Sequence, residues 1–228
     1  MDEKILLLIN LSIAYSYFYA YDEKKAVLYL KSIDEMIDKV QFSEDELFNI
    51  YNLHIMMQSY FGEIESARQY FNKICDLRIT ERNFMTAMFN YTSGLIETKK
   101  MDSAMFFMNK FKEQFEKEYK NNESYLANFY SNLAIVYAAE DDFQQALVYD
   151  EKAYGLRKRF LGIYSKDMAI TYLALTEDYL NFNKNDKAKE CIIKAEEICS
   201  VIFENEDNQL YQNVLHAKYV LENLGYVF

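Results

Sequence analysis

The chain contains no proline and no tryptophan among its 228 residues, and only 5 glycines, 3 cysteines and 2 histidines. Average usage would supply roughly 11 prolines, so the residues that break helices or build tight hairpins are almost missing. That composition excludes most all-β architectures and predicts an all-α fold. The cysteines, Cys75, Cys191 and Cys199, are odd in number and form no CxxC pair. A disulfide framework is therefore not expected, and small buried hydrophobes in a reducing cytoplasm are. Cation excess is also lacking. Lys and Arg total 25 against 36 Asp and Glu, for a net charge of −11. A field of that sign repels phosphate backbones and anionic lipids. The one basic run, Arg157-Lys158-Arg159, is read as a solvated helix end, so no nucleic acid is expected to bind this chain alone.

Sites for chemistry are missing as well. His54 and His216 lie far apart, and no HExxH, GxGxxG, GxxxxGK[ST] or GxSxG occurs. No metal, no cofactor and no catalytic residue is expected, and the chain is read as non-enzymatic. Each histidine is read as a helix-packing or surface residue. Acidic clusters such as Glu140-Asp141-Asp142 are placed at hairpin turns, where they meet helix dipoles favourably. The ten methionines are read as core filler rather than as a promiscuous groove.

What is present is a repeat. From Asn132 the sequence runs NLAIVYAAEDDFQQALVYDEKAYGLRKRFLG. Apolar or small residues recur at helical spacing, a polar break AEDD follows, and Phe143, Ala146, Tyr149 and Ala153 resume the period on a second helix. The same hairpin can be laid along the whole chain on five small anchors, Ala26, Ala67, Ala104, Ala146 and Ala188, which are 41, 37, 42 and 42 residues apart. Seven residues after each comes Ile33, Ile74, Phe111, Ala153 or Ala195. Nine residues before them stand Tyr17, Leu95, Tyr137 and Tyr179, with Gln58 the misfit.

These offsets resemble the tetratricopeptide repeat. The fourth repeat is similar to the long form in kinesin light chains: NLA, Tyr137, Phe143, Ala146, Ala153, Arg157 and a closing Leu161-Gly162. No repeat carries the closing proline of the family, and only Gly62 supplies a glycine in a hairpin turn. The resemblance implies a right-handed α-solenoid of about five helix hairpins in a single domain, with repeats near 3–40, 44–77, 82–119, 124–160 and 167–203, and a capping helix at 207–224. Within them the helices are expected at 3–20, 23–40, 44–61, 64–77, 82–98, 101–119, 124–139, 143–160, 167–181 and 185–203. Ser43-Glu-Asp-Glu46 has the form of a capping box, and residues 204–208 read as a turn.

The resemblance also implies a function. First helices of such repeats line a concave groove that holds peptides or partner helices, and an Asn on that helix often bonds the ligand backbone. The matching positions are Asn90 and Asn132, with Asn52 in the less certain register of the second repeat. Tyr15, Tyr19, Phe89, Ser93, Ile135 and Glu177 flank them. No Lys or Arg falls on these positions, which disfavours an acidic C-terminal tail and favours an apolar or aromatic peptide. Sensor halves of bacterial peptide-responsive regulators resemble this array, which makes a sensor, or a stand-alone relative, a second expectation. A third concerns the run ILLLINLSIAYSYFYAY from Ile5 to Tyr21. About 17 residues is at the short limit for a membrane span, and the preceding MDEK is negative where a signal peptide would be positive. It is read as the first repeat helix of a cytoplasmic protein with no membrane attachment. Leu7, Leu11 and Phe18 are taken as a face for a homodimer or another partner.

Overall fold

The computed structural model of the chain describes residues 3–20, 22–160, 162, 164–204 and 208–225. Tyr21, the expected repeat closure at Leu161, and residues 205–207, which hold most of the expected turn and the expected start of the capping helix, lie outside the described residues. The described residues form eleven α-helices and no strand. In order these are α1 (Glu3–Tyr19), α2 (Glu23–Ile37), α3 (Glu44–Tyr60), α4 (Ile64–Cys75), α5 (Glu81–Glu97), α6 (Met101–Glu118), α7 (Glu123–Ala139), α8 (Phe143–Phe160), α9 (Lys166–Asn181), α10 (Asn185–Ile202) and α11 (Gln209–Asn223). They divide into two compact units, Met1–Glu118 and Tyr119–Phe228. The first holds three hairpins and the second holds two hairpins and α11.

The local chemistry sets the helix ends. Ser43 and Glu46 form the capping box: the Ser43 N–H donates to Glu46 Oε2 at 2.8 Å and the Glu46 N–H donates to Ser43 Oγ at 3.3 Å. Lys4 Nζ reaches the same carboxylate at 2.8 Å, and these donors pull the Glu46 acid down to about 2. Thr80, Asn122, Ser165 and Asn208 cap α5, α7, α9 and α11 by accepting backbone N–H bonds.

The turn inside each hairpin follows one plan. The backbone N–H of Asp22, Glu63, Lys100, Asp142 and Lys184 donates to the carbonyl of Tyr17, Gln58, Leu95, Tyr137 and Tyr179, at 2.8–3.0 Å. This is the six-to-one bond of a Schellman stop. The acceptors are the residues nine before each alanine anchor, so the repeat register and the turn register coincide. Gly62 takes the left-handed conformation in the second hairpin at φ 78°, but Lys99, Asp141 and Asn183 take it at 57°, 59° and 54°. Three turns therefore adopt, with a side chain, a conformation that glycine enters without steric cost.

All five anchors are buried, at 1% exposure or less. A methyl group at that point lets the two helices of a hairpin approach closely, and larger apolar residues fill the space on either side. In the first unit Leu7, Ala14, Leu30, Ile33, Ile50 and Met57 form one cluster. In the second, Met168, Ile192, Ala195, Ile198, Val214 and Leu221 form another. Met57, Met85, Met88, Met108 and Met168 are buried.

Three expectations need correction. Leu7 is fully buried in the core of the first unit, so it is not available to a second copy; the exposed aliphatic residues of α1 are Ile5, Leu6, Leu8 and Ile9. Arg157 is not solvated at a helix end but buried, at 5% exposure. Cys75 is exposed, unlike the buried Cys191 and Cys199, and all three thiols are free.

Candidate functional site

In the first unit α1, α3 and α5, the first helices of three repeats, lie side by side. Their C-terminal two turns enclose a cleft of about 200 Å³. Phe18 comes from α1, Met56, Ser59 and Tyr60 from α3, and Asn90, Ser93, Gly94 and Glu97 from α5. The rings of Phe18 and Tyr60 meet edge to face, 5.1 Å apart, and form an aromatic wall. Asn90 Nδ2 donates to Asn52 Oδ1 at 3.0 Å, joining α5 to α3 beside the cleft. An amide carries two N–H groups and an acceptor oxygen, so this single bond leaves capacity on both residues. Ser93 Oγ donates to the Phe89 carbonyl within α5 at 2.9 Å.

The floor of this cleft is a tight helix crossing. A Cβ on Gly94 would lie 2.3 Å from Ser59 Oγ and 2.4 Å from Ser59 Cβ. Only a glycine permits that approach of α5 to α3. Ser59 is 4% exposed, and its hydroxyl is buried without a hydrogen-bond partner, a state that costs free energy when nothing answers it.

Of the residues expected to face a groove, the structure sets Asn90 and Ser93 in this cleft and bonds Asn52 to Asn90 beside it. Phe18, expected to face a second copy, lines it as well, and Leu11, expected on the same face, packs half-buried on the core. Tyr15 and Tyr19 lie exposed on α1, their hydroxyls 3.1 Å apart. Phe89 is half-buried against Phe115, at 5.6 Å between centroids. The buried His54 stacks on Tyr70 at 4.1 Å, and burial depresses its basicity to about 4, which keeps the ring neutral.

In the second unit, Glu177 lines a cleft of about 310 Å³ between α9 and α11, with Leu173, Thr176, Asn213, His216 and Val220. Desolvation raises the Glu177 acid. Asn132, half-buried, and Ile135, exposed, lie on α7 and do not line that cleft. Two features there escaped sequence reasoning. Arg157 Nη1 donates to Ser131 Oγ at 2.9 Å and Thr171 Oγ1 at 2.7 Å, and its Nη2 donates to Asn128 Oδ1 at 2.8 Å. One guanidinium thus ties α8 to α7 and α9. Beside it, Asp150 of α8 and Asp178 of α9 are both buried and hydrogen-bonded to each other. Burial and the neighbouring carboxylates push both acids up. A third cleft, of about 460 Å³ among α8, α9 and α10, is walled by Tyr154, Tyr172 and Tyr179, with Lys187 and Lys194 among its lining residues. Among the described residues no group of acids, cysteines and histidines is placed to hold a metal ion. No helix there is long and apolar enough to cross a membrane.

Residues 125–200 match the family model of the tetratricopeptide repeat. Among curated proteins none matches this sequence. Among solved structures, the apo form of RapI is similar over 95% of this chain and 84% of its own, at 15% identity and a TM-score of 0.72. BtubC (BKLC) from P. vanneervenii is similar over 99% and 87%, at 17% identity and a TM-score of 0.58. YrrB, a tetratricopeptide-repeat protein with an unusual peptide-binding site, is similar over 92% and 90%, at 14% identity and a TM-score of 0.53. At such identities the likeness establishes the fold. Residues 125–200 thus match the tetratricopeptide repeat, and the chain as a whole shares the helix-hairpin fold of the solved structures it resembles.

Proposed function

We propose that the chain is a cytoplasmic, non-enzymatic module that binds a peptide, or an extended segment of a partner protein, along the first helices of its repeats. The observation that carries this reading is the cleft of the first unit. There Phe18, Tyr60, Asn90 and Ser59, whose buried hydroxyl has no partner, line one cleft, and Asn90 bonds Asn52 beside it. Amides that pair with a ligand backbone give affinity without regard to sequence, and an apolar wall selects a side chain. YrrB, a solved protein of the same fold, has a peptide-binding site, and the free thiols fit a reducing compartment.

The test is fluorescence polarisation against a mixed library of labelled peptides five to ten residues long. Wild-type protein should retain a subset of the library. Asn90→Ala should weaken those binders about tenfold, the worth of one to two hydrogen bonds. Retention of no peptide, or equal affinity in Asn90→Ala, would sink the reading.

A second reading has its own observation. Ile5, Leu6, Leu8 and Ile9 present a continuous apolar face on α1, each 38–52% exposed, and another copy of the chain would cover it. Light scattering across a hundredfold concentration range decides: a constant monomer mass rules self-association out.

A further inference from the structure

The first-unit cleft lies where three helices end. Phe18 is in the last turn of α1, Ser59 and Tyr60 in the last turn of α3, and Gly94 and Glu97 in the last turn of α5. A helix C-terminus carries roughly half a negative charge and is commonly compensated by Lys or Arg in its last turn. None of these three helices has a basic residue there. The one charged residue lining the cleft is Glu97, an acid, and it forms no ion pair among the described residues. The turn that follows carries Lys99 and Lys100. Neither lines the cleft, and Lys100 is held by Glu65 at 2.8 Å. Three dipole ends, a carboxylate and two aromatic rings therefore meet at a cleft with no cation among its lining residues.

Resting on the peptide-binding reading above, we infer that this cleft takes a cationic side chain, lysine or arginine, of the bound peptide. The chemistry is complementary at each point. A guanidinium or ammonium pairs with Glu97, its flat or methylene part lies on Tyr60 and Phe18, and the helix ends add attraction of the same sign. The volume, about 200 Å³, falls below the roughly 300–1,000 Å³ of sites for whole drug-sized molecules. It suits one side chain of a larger ligand. The chain's net charge of −11 also favours encounter with a basic partner.

The experiment is a positional-scanning pentapeptide library with a fluorescent label, read by polarisation at 50 mM and 500 mM salt. At one position Lys and Arg should bind about tenfold tighter than their neutral isosteres norleucine and citrulline, as expected of a charge-assisted bond at a partly enclosed site. The preference should shrink in high salt. It should vanish in Glu97→Gln, which replaces an exposed side chain with no ion pair and leaves the helical circular dichroism unchanged. Glu97→Lys should turn the preference towards acidic residues. Peptides that bind in an Asn90-dependent way with no basic preference, or with one that survives Glu97→Gln, overturn this inference and leave the peptide-binding reading standing. Absence of any binding peptide overturns both.

Discussion

Gly94→Ala isolates the helix crossing beneath the candidate cleft. Adding one methyl group should help α5 in isolation, since alanine in a helix interior is favoured over glycine by about 1 kcal/mol. The crossing opposes it. The new Cβ would stand 2.4 Å from Ser59 Cβ, 2.3 Å from Ser59 Oγ and 3.0 Å from Ile64 Cδ1, where carbon atoms rest at about 3.5–4.0 Å. Ser59 Oγ and the tip of Ile64 can rotate away, but Ser59 Cβ is fixed to the backbone of α3. The two helices must separate by more than an ångström. Forcing a methylene into a packed core costs about 1–3 kcal/mol and here sits at the upper end, so the net loss should be about 2 kcal/mol. For a chain of this length that lowers the melting temperature by about 4–8 °C, read by circular dichroism at 222 nm with a urea titration beside it. The decisive comparison is the second site. Ser59→Ala keeps the offending Cβ and should not rescue Gly94→Ala, whereas Ser59→Gly removes it and should recover most of the loss. A Gly94→Ala protein as stable as wild type, or equal rescue by both partners, would refute the argument.

Lys99→Gly should raise stability by about 0.5–1 kcal/mol, because Lys99 holds a φ of 57° that costs a side chain free energy and glycine little; a lower urea midpoint would contradict this. Asp150→Asn should alter the pH profile. The folded Asp150 acid lies above its unfolded value, so its contribution is fully present below the ordinary carboxylate range near 4 and is lost as pH rises. Wild-type urea midpoints should therefore fall between pH 5 and pH 9, while Asp150→Asn, which keeps a polar partner for Asp178 without a proton to lose, should stay flatter and gain ~1–3 kcal/mol at the alkaline end. A wild-type profile flat over that range would end this account.

The fold was legible because its determinants are local. Alanine spacing, caps such as Ser43 and Thr80, and polar breaks such as Glu140-Asp141-Asp142 each act within a few residues, and the helices begin within two residues of their expected positions. Even the turns without glycine follow the register, since the Schellman acceptors sit nine residues before each anchor. The candidate cleft was legible only in part. A register assigns a residue to a face of its helix, which is why Asn90 and Ser93 were expected on the side of α5 that lines this cleft. It does not say how far a neighbouring helix intrudes. The depth of that cleft depends on Gly94 meeting Ser59 across 35 positions of sequence, and neither residue stands out alone. Leu7 failed for the same reason: α1 is apolar nearly all round, so periodicity could not choose its buried side. Burial of Arg157 and pairing of Asp150 with Asp178 are tertiary facts that composition reads as ordinary surface charge.

The side chain of Arg157 has a bearing on how such a chain can be cut and recombined. Its guanidinium is anchored in α7 through Asn128 and Ser131 and in α9 through Thr171, so it belongs to two successive hairpins at once. Excising the α7–α8 hairpin between conventional repeat boundaries would leave an arginine stripped of one acceptor on one side of the cut and a threonine stripped of its donor on the other. The smallest piece that could be transplanted with the Arg157 bonds intact is the pair of hairpins α7 to α10, which is close to the stretch, 125–200, that the family model matches. In this protein the unit joined by polar bonds is larger than the unit of repetition.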